Sequence, residues 1–147
     1  VHNPDFIIFD EPTNGLDVLT ARSVTDYLLE LKEQQKTVIL STHIVEDIRD
    51  LCKNMAILAN GQIISQGNPS TLVETLSGKV WSKLIKKQTL EAHKTAFQVI
   101  STKLIAGETQ IRVISDSKPE QGFEQISPNL EDLYFATLFN HQLVKSA

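Results

Sequence analysis

The sequence lacks several things that would narrow its class. No apolar run approaches the roughly 18 residues that a membrane-spanning helix requires. No charged-then-apolar leader stands at the front. Its one cysteine, Cys52, excludes an internal disulfide and fits a reducing compartment. Net charge is −4 and no basic stripe is present, which argues against nucleic acid as a partner. No internal repeat or low-complexity stretch stands out. The chain starts at Val1 and its only methionine is Met55, so it is expected to be an excerpt of a longer protein. What remains is 147 residues at 41% hydrophobic content, enough for one moderate core or two small ones. A cytoplasmic α/β segment is the plain expectation.

Hydrophobic patterning then divides the chain. Phe6 to Phe9 form a continuous apolar run that suits a strand covered on both faces, as in a parallel sheet. Val18 to about Gln34 reads as a helix, with Asp17 as N-cap and Val24, Tyr27, Leu28 and Leu31 at helical spacing. Thr37 to Leu40 supplies a second buried strand, which completes a βαβ unit. Ile44, Ile48 and Leu51 line one side of a short helix. Asn60-Gly61 between two apolar runs predicts a tight hairpin. Asn68-Pro69 opens a helix that ends near Ser77-Gly78.

Beyond Gly78 the character changes to a small α+β pattern. Strands are expected over 80–85, 97–104, 110–114 and 123–126, with a short helix over 88–94 and a polar loop over 115–122. Ser127-Pro128 is expected to start a last helix with an apolar face of Leu130, Leu133, Tyr134 and Leu138. Trp81 and the cluster Tyr134, Phe135 and Phe139 read as core, Lys83, Lys86 and Lys87 as a solvated face, and Cys52 as packed and inert. The domain boundary is placed near Gly78, giving units 1–78 and 79–147.

Chemistry concentrates at Asp10-Glu11-Pro12. A carboxylate at the C-terminal end of a buried parallel strand lies at the ligand-binding edge of such sheets. Asp10 there suits a magnesium ion held through water. Glu11 suits a base that orients or deprotonates a water attacking a terminal phosphate. Alone, the pair equally suits a strand end that meets solvent. Two further segments bear on it: Thr13-Asn14-Gly15-Leu16-Asp17 follows directly, and Ser41-Thr42-His43 ends the next strand.

With those three segments in that order, the sequence resembles the ATP-binding subunit of ABC transporters from its Walker B strand onward. The implied fold is α/β: the C-terminal part of a P-loop NTPase parallel sheet with helices, followed by a small α+β accessory domain. Phe6 to Glu11 matches Walker B, Asn14 to Asp17 the D-loop, and His43 the switch histidine. The commonest D-loop has serine where Asn14 stands. The resemblance implies that Asp10 serves Mg2+, Glu11 is the catalytic base, and His43 contacts the γ-phosphate of ATP. Asn14, Gly15, Leu16 and Asp17 would form an inter-subunit strap in a dimer with a second ATPase subunit. The tail Ser127-Pro128-Asn129-Leu130-Glu131-Asp132-Leu133-Tyr134 resembles the terminal pattern of ABC-2-type exporter ATPases. Transmembrane permease subunits are then implied partners, and the cytoplasmic face of the inner membrane the implied location.

A phosphate loop needs Gly, four residues, then Gly-Lys-Ser or Gly-Lys-Thr. The one Gly-Lys pair, Gly78-Lys79, is followed by Val80 and has Val73 five positions before Gly78, so it does not qualify. The Walker A, glutamine-loop and signature motifs are all missing from these residues. The chain alone is therefore expected to be inactive, and its sheet to expose edges and an apolar face. Two other readings compete. One is an ATPase of the DNA-repair and chromosome-structure branch; the other is a non-catalytic interaction module with relic motifs.

Overall fold

A computed structural model describes residues 4–146. Contacts divide the chain into Val1–Lys53 and Asn54–Ala147.

The first unit consists of β1 (Phe6–Asp10), α1 (Val18–Glu33), β2 (Thr37–Ser41) and α2 (Val45–Leu51). β1 and β2 pair in parallel, with Asp10 opposite Ser41 at the end of the register. Asp17 caps α1 as its position predicts, accepting the Leu19 and Thr20 amides at 3.0 and 3.1 Å. Leu28, Leu31 and Leu51 are buried against Ile7, Phe9, Val24, Val38 and Leu40. Pleating sends alternate residues of each strand to the opposite face. Phe6, Ile8 and Ile39 on that face are 52%, 66% and 52% exposed, so the expected cover on both faces is present on one only. Tyr27, expected on the buried side of α1, is half exposed because it lies at the edge of the Val24–Leu28–Leu31 stripe.

α1 ends in a Schellman turn that the sequence conceals. The Lys36 amide bonds to the Leu31 carbonyl at 3.0 Å and the Gln35 amide to the Lys32 carbonyl at 3.1 Å. Gln35 occupies the left-handed position at φ 59°, where glycine is the usual residue. Gln35→Gly is expected to stabilise the fold by about 0.5–1 kcal/mol, the relieved left-handed strain outweighing the greater freedom of the unfolded glycine. Urea unfolding measures this, and a lowered midpoint would contradict it.

The second unit begins with the hairpin of β3 (Met55–Ala59) and β4 (Gln62–Gly67). Asn60 and Gly61 turn it at φ 51° and 74°, both left-handed as a type I′ turn requires. α3 (Pro69–Glu74) follows, with Asn68 accepting the Thr71 amide and Pro69 in its first turn. Gly78, at φ 81°, then leads the chain into a strand and forms no phosphate loop. β5 (Val80–Ile85), α4 (Leu90–Ala96), β6 (Val99–Ile105), β7 (Glu108–Ile114), β8 (Glu124–Gln125) and α5 (Leu130–Ser146) complete the unit. The antiparallel sheet has the order β6-β7-β5-β8. Ile85, Ile111, Val113 and Phe123 form its core, with Phe97 edge-on to Phe123 at 5.4 Å.

Several sequence expectations shift here. The division by contacts lies at Lys53, and Gly78 falls inside the second unit because α3 and β4 both touch α5. The last strand shrinks to Glu124–Gln125. α5 starts at Leu130, since Asn129 takes the capping position: its side chain accepts the Asp132 amide at 2.8 Å, and Asp132 accepts the Asn129 amide at 2.8 Å. Asp132 is fully buried, whereas Tyr134 and Phe135 are 40% and 38% exposed. Lys83 leaves the solvated face to bond Glu120 at 2.6 Å, and that bond, more than any other contact, holds the Glu120 carboxyl below its usual range. Cys52 is partly buried, and desolvation pushes its thiol up. No helix among the described residues is long and apolar enough to cross a membrane.

Candidate active site

The parallel ladder ends where the candidate chemistry begins. Asp10 is the last residue of β1, and its Oδ1 accepts the hydroxyl of Ser41 across the register. One residue on, the Glu11 amide bonds to the Ser41 carbonyl at 2.9 Å and to its hydroxyl at 3.2 Å. Glu11 itself takes φ 45°, a left-handed conformation rare for a residue with a side chain. The Asn14 amide then closes a turn onto the Glu11 carbonyl at 3.1 Å. A carboxylate in such a conformation persists only where surrounding bonds over-determine it.

Those bonds extend to the side chain. Glu11 Oε2 accepts Asn14 Nδ2 at 2.6 Å, and Oε1 lies 3.2 Å from His43 Nδ1. The carboxylate is therefore bracketed by two residues from different segments, one just beyond β1 and the other just beyond β2. Glu11 and His43 side chains are 43% and 63% exposed, so packing does not fix either one. With its proton on Nδ1, a neutral His43 donates to Glu11 and leaves Nε2 as an acceptor; the imidazolium would donate from both nitrogens.

The remaining sequence candidates lie along the same turn. Gly15 takes φ 72°, which lets the chain reverse between Asn14 and α1. Leu16 is 41% exposed. Asp17 is engaged by α1, and the Thr20 hydroxyl bond at 2.6 Å, with the backbone amides behind it, holds its carboxyl below the usual range. Asp10, Glu11, Asn14 and His43 are thus brought together, while Asp17 faces its own helix.

Asp10 and Ser41 offer hard oxygen donors of the kind magnesium takes. No group of three or more His, Cys, Asp or Glu among the described residues could enclose an ion. That donor set fits a cation that keeps much of its water.

Ser41, Thr13, Thr42 and Asp47 escaped the motif reading as functional residues. Ser41 was marked only by its place beside His43, and its pairing with Asp10 depends on the strand register. Thr13 is buried at 6% exposure and bonds Asp47 at 2.6 Å. An acidic residue in the first turn of the short helix after His43 was the one available signal.

No protein-family model matches the chain. Among curated proteins it is 42% identical over 91 residues to an uncharacterised ABC transporter ATP-binding protein of Methanocaldococcus jannaschii, covering 60% of this chain and 35% of that protein. It is 37% identical over 75 residues to the ABC transporter ATP-binding protein NatA of Bacillus subtilis, covering 51% and 30%. Over 146 residues it is 30% identical to the Nod factor export ATP-binding protein I of Rhizobium meliloti, covering 91% and 43%. The chain spans less than half the length of these relatives. By these matches the chain is a homologue of the ATP-binding proteins of ABC transporters.

Proposed function

We propose that the chain carries the hydrolytic half of an ATP site, in an ATPase subunit that powers an ABC-type membrane exporter. The observation that carries this reading is the bracketing of the Glu11 carboxylate by Asn14 and His43. In it, Glu11 is the base: its carboxylate accepts a proton from the water that attacks the γ-phosphate. His43 contacts the γ-phosphate, and its bond to Glu11 links the base to the presence of that phosphate. Asp10, aided by Ser41, would hold Mg2+, which when bound neutralises charge on the phosphate oxygens. Asn14, Gly15, Leu16 and Asp17 form the strap toward a second ATPase subunit, and Asn14 serves the base as well.

Residues 1–78 are the nucleotide-binding part by role and 79–147 the accessory part, a division that differs from the division by contacts. Export is favoured by the Rhizobium meliloti match, whose name specifies export and which covers 91% of this chain. The partners are transmembrane permease subunits, and the site of action is the cytoplasmic face of the cell membrane. A net charge of −4 with no basic stripe disfavours nucleic acid as a partner.

The 147-residue chain has no phosphate loop of its own, and its first sheet leaves Phe6, Ile8 and Ile39 exposed. It is expected neither to bind MgATP at micromolar concentration nor to hydrolyse it. Titration with labelled ATP and magnesium, read by equilibrium dialysis, checks this. Micromolar binding to the isolated chain would contradict the half-site reading.

A further inference from the structure

Beyond Asp10 and Ser41 the strand ladder stops, and a side chain from α2 joins the turns that carry Glu11 and His43. Asp47, third residue of α2, reaches both. Its Oδ2 accepts the Thr13 hydroxyl at 2.6 Å and the Thr42 hydroxyl at 3.4 Å. Thr13 lies two residues past Glu11 and is buried; Thr42 directly precedes His43. The Thr42 hydroxyl also accepts the Ile44 amide at 2.9 Å, so it donates to one side and accepts from the other. An acidic residue at this helical position would ordinarily turn back to its own helix start. Here Ile44 at the N-cap makes no side-chain capping bond, and its amide is taken by Thr42. The Asp47 carboxylate is thus directed to the two turns.

We propose that Asp47 is a positioning residue for ATP hydrolysis, which sets the spacing between Glu11 and His43 by clamping Thr13 and Thr42. It touches neither nucleotide nor attacking water. The proposal rests on the reading of Glu11 as the base. A displacement of a catalytic group by about 1 Å costs on the order of 100-fold in rate. The His43 and Glu11 side chains are 63% and 43% exposed, so packing does little to hold their spacing once the clamp is lost.

The test uses the full-length protein, with kcat and KM for ATP measured for wild type, Asp47→Ala and Asp47→Asn. Asp47→Ala is expected to lower kcat by about 10- to 100-fold while KM stays within about threefold, because the lost interaction acts only in the chemical step. Asp47→Asn keeps an acceptor oxygen and should restore kcat to within about fivefold of wild type. The same Asp47→Ala change made together with Glu11→Gln should alter the residual rate by less than about threefold, since a positioning residue has nothing left to position. Should Asp47→Ala fail to fold, Thr13→Val breaks the same clamp and is expected to show the same kcat loss. An unchanged kcat in the folded clamp variants would overturn the proposal, as would an equal loss with and without Glu11→Gln. If Glu11→Gln alone retained wild-type turnover, the reading of Glu11 would fail and this proposal with it. Loss of turnover in Glu11→Gln beside normal turnover in Asp47→Ala would remove the clamp alone.

Discussion

Glu11→Gln in the full-length protein is expected to reduce ATP turnover by about 10²- to 10⁴-fold, the range spanned by general acid–base groups. Glutamine keeps the size of the side chain and one oxygen acceptor. It can still take the Asn14 Nδ2 bond, now 2.6 Å long, while its amide nitrogen meets His43. The left-handed Glu11 backbone keeps its main-chain bonds to Ser41 and from Asn14, which the substitution leaves in place. The fold should therefore survive, and ATP should still bind, because the lost function is proton acceptance from water. Steady-state phosphate release with matched binding measurements separates these effects. A parallel loss of binding and turnover would indicate that Glu11 only shapes the site.

The largest stability effect is expected in the second unit, at the pair formed by Arg112 and Asp132. Arg112 lies on the opposite face of β7 from Ile111 and Val113, and its Nη2 reaches Asp132 Oδ2 at 2.6 Å. The side chains are 16% and 1% exposed, so both charges sit largely out of water. Asp132 Oδ2 also accepts the Asn129 amide, which ties the pair to the start of α5. Asp132 Oδ1 and Arg112 Nε have no hydrogen-bond partner among the described residues, so the pair is incompletely satisfied. Removing one member leaves the other charge buried and uncompensated, at a cost of about 3–5 kcal/mol. Asp132→Ala also removes one arm of the helix cap. Arg112→Met combined with Asp132→Leu should recover much of the loss, because buried pairs are often matched by packed apolar groups. Denaturant unfolding of the three variants checks this. Near-neutral Asp132→Ala would show that solvent reaches the pair more freely than its burial indicates.

The residues that bear on function were legible to different degrees, for physical reasons. Asp10, Glu11 and Asn14 are close in sequence, and His43 lies just beyond the next strand, so local spacing was enough to nominate all four. Asp17 was legible as a cap because capping is a local hydrogen-bond requirement. The Asn60-Gly61 hairpin was legible because few residues tolerate two consecutive left-handed positions.

Features that depend on long-range closure were hidden. Nothing in the spacing of Thr13 and Asp47, 34 residues apart, marks their bond. Burial of Asp132 was equally opaque, since an aspartate at a helix start reads as solvated until Arg112 is placed opposite it. Gln35 conceals a left-handed turn because it is not glycine. Tyr134 and Phe135 were assigned to the core from their chemistry, yet the apolar face of α5 runs through Leu130, Leu133 and Ala136. Phe6 and Ile8 read as covered because a continuous apolar run usually is.

The nucleotide retained by full-length Glu11→Gln protein after exposure to MgATP tests the central claim most directly. Protein freed of unbound nucleotide and denatured in acid can be assayed for ATP and ADP by chromatography. If Glu11 is the base, the retained nucleotide is intact ATP, while wild type treated alike yields ADP. ADP in both would contradict the assignment and move the base away from the end of β1.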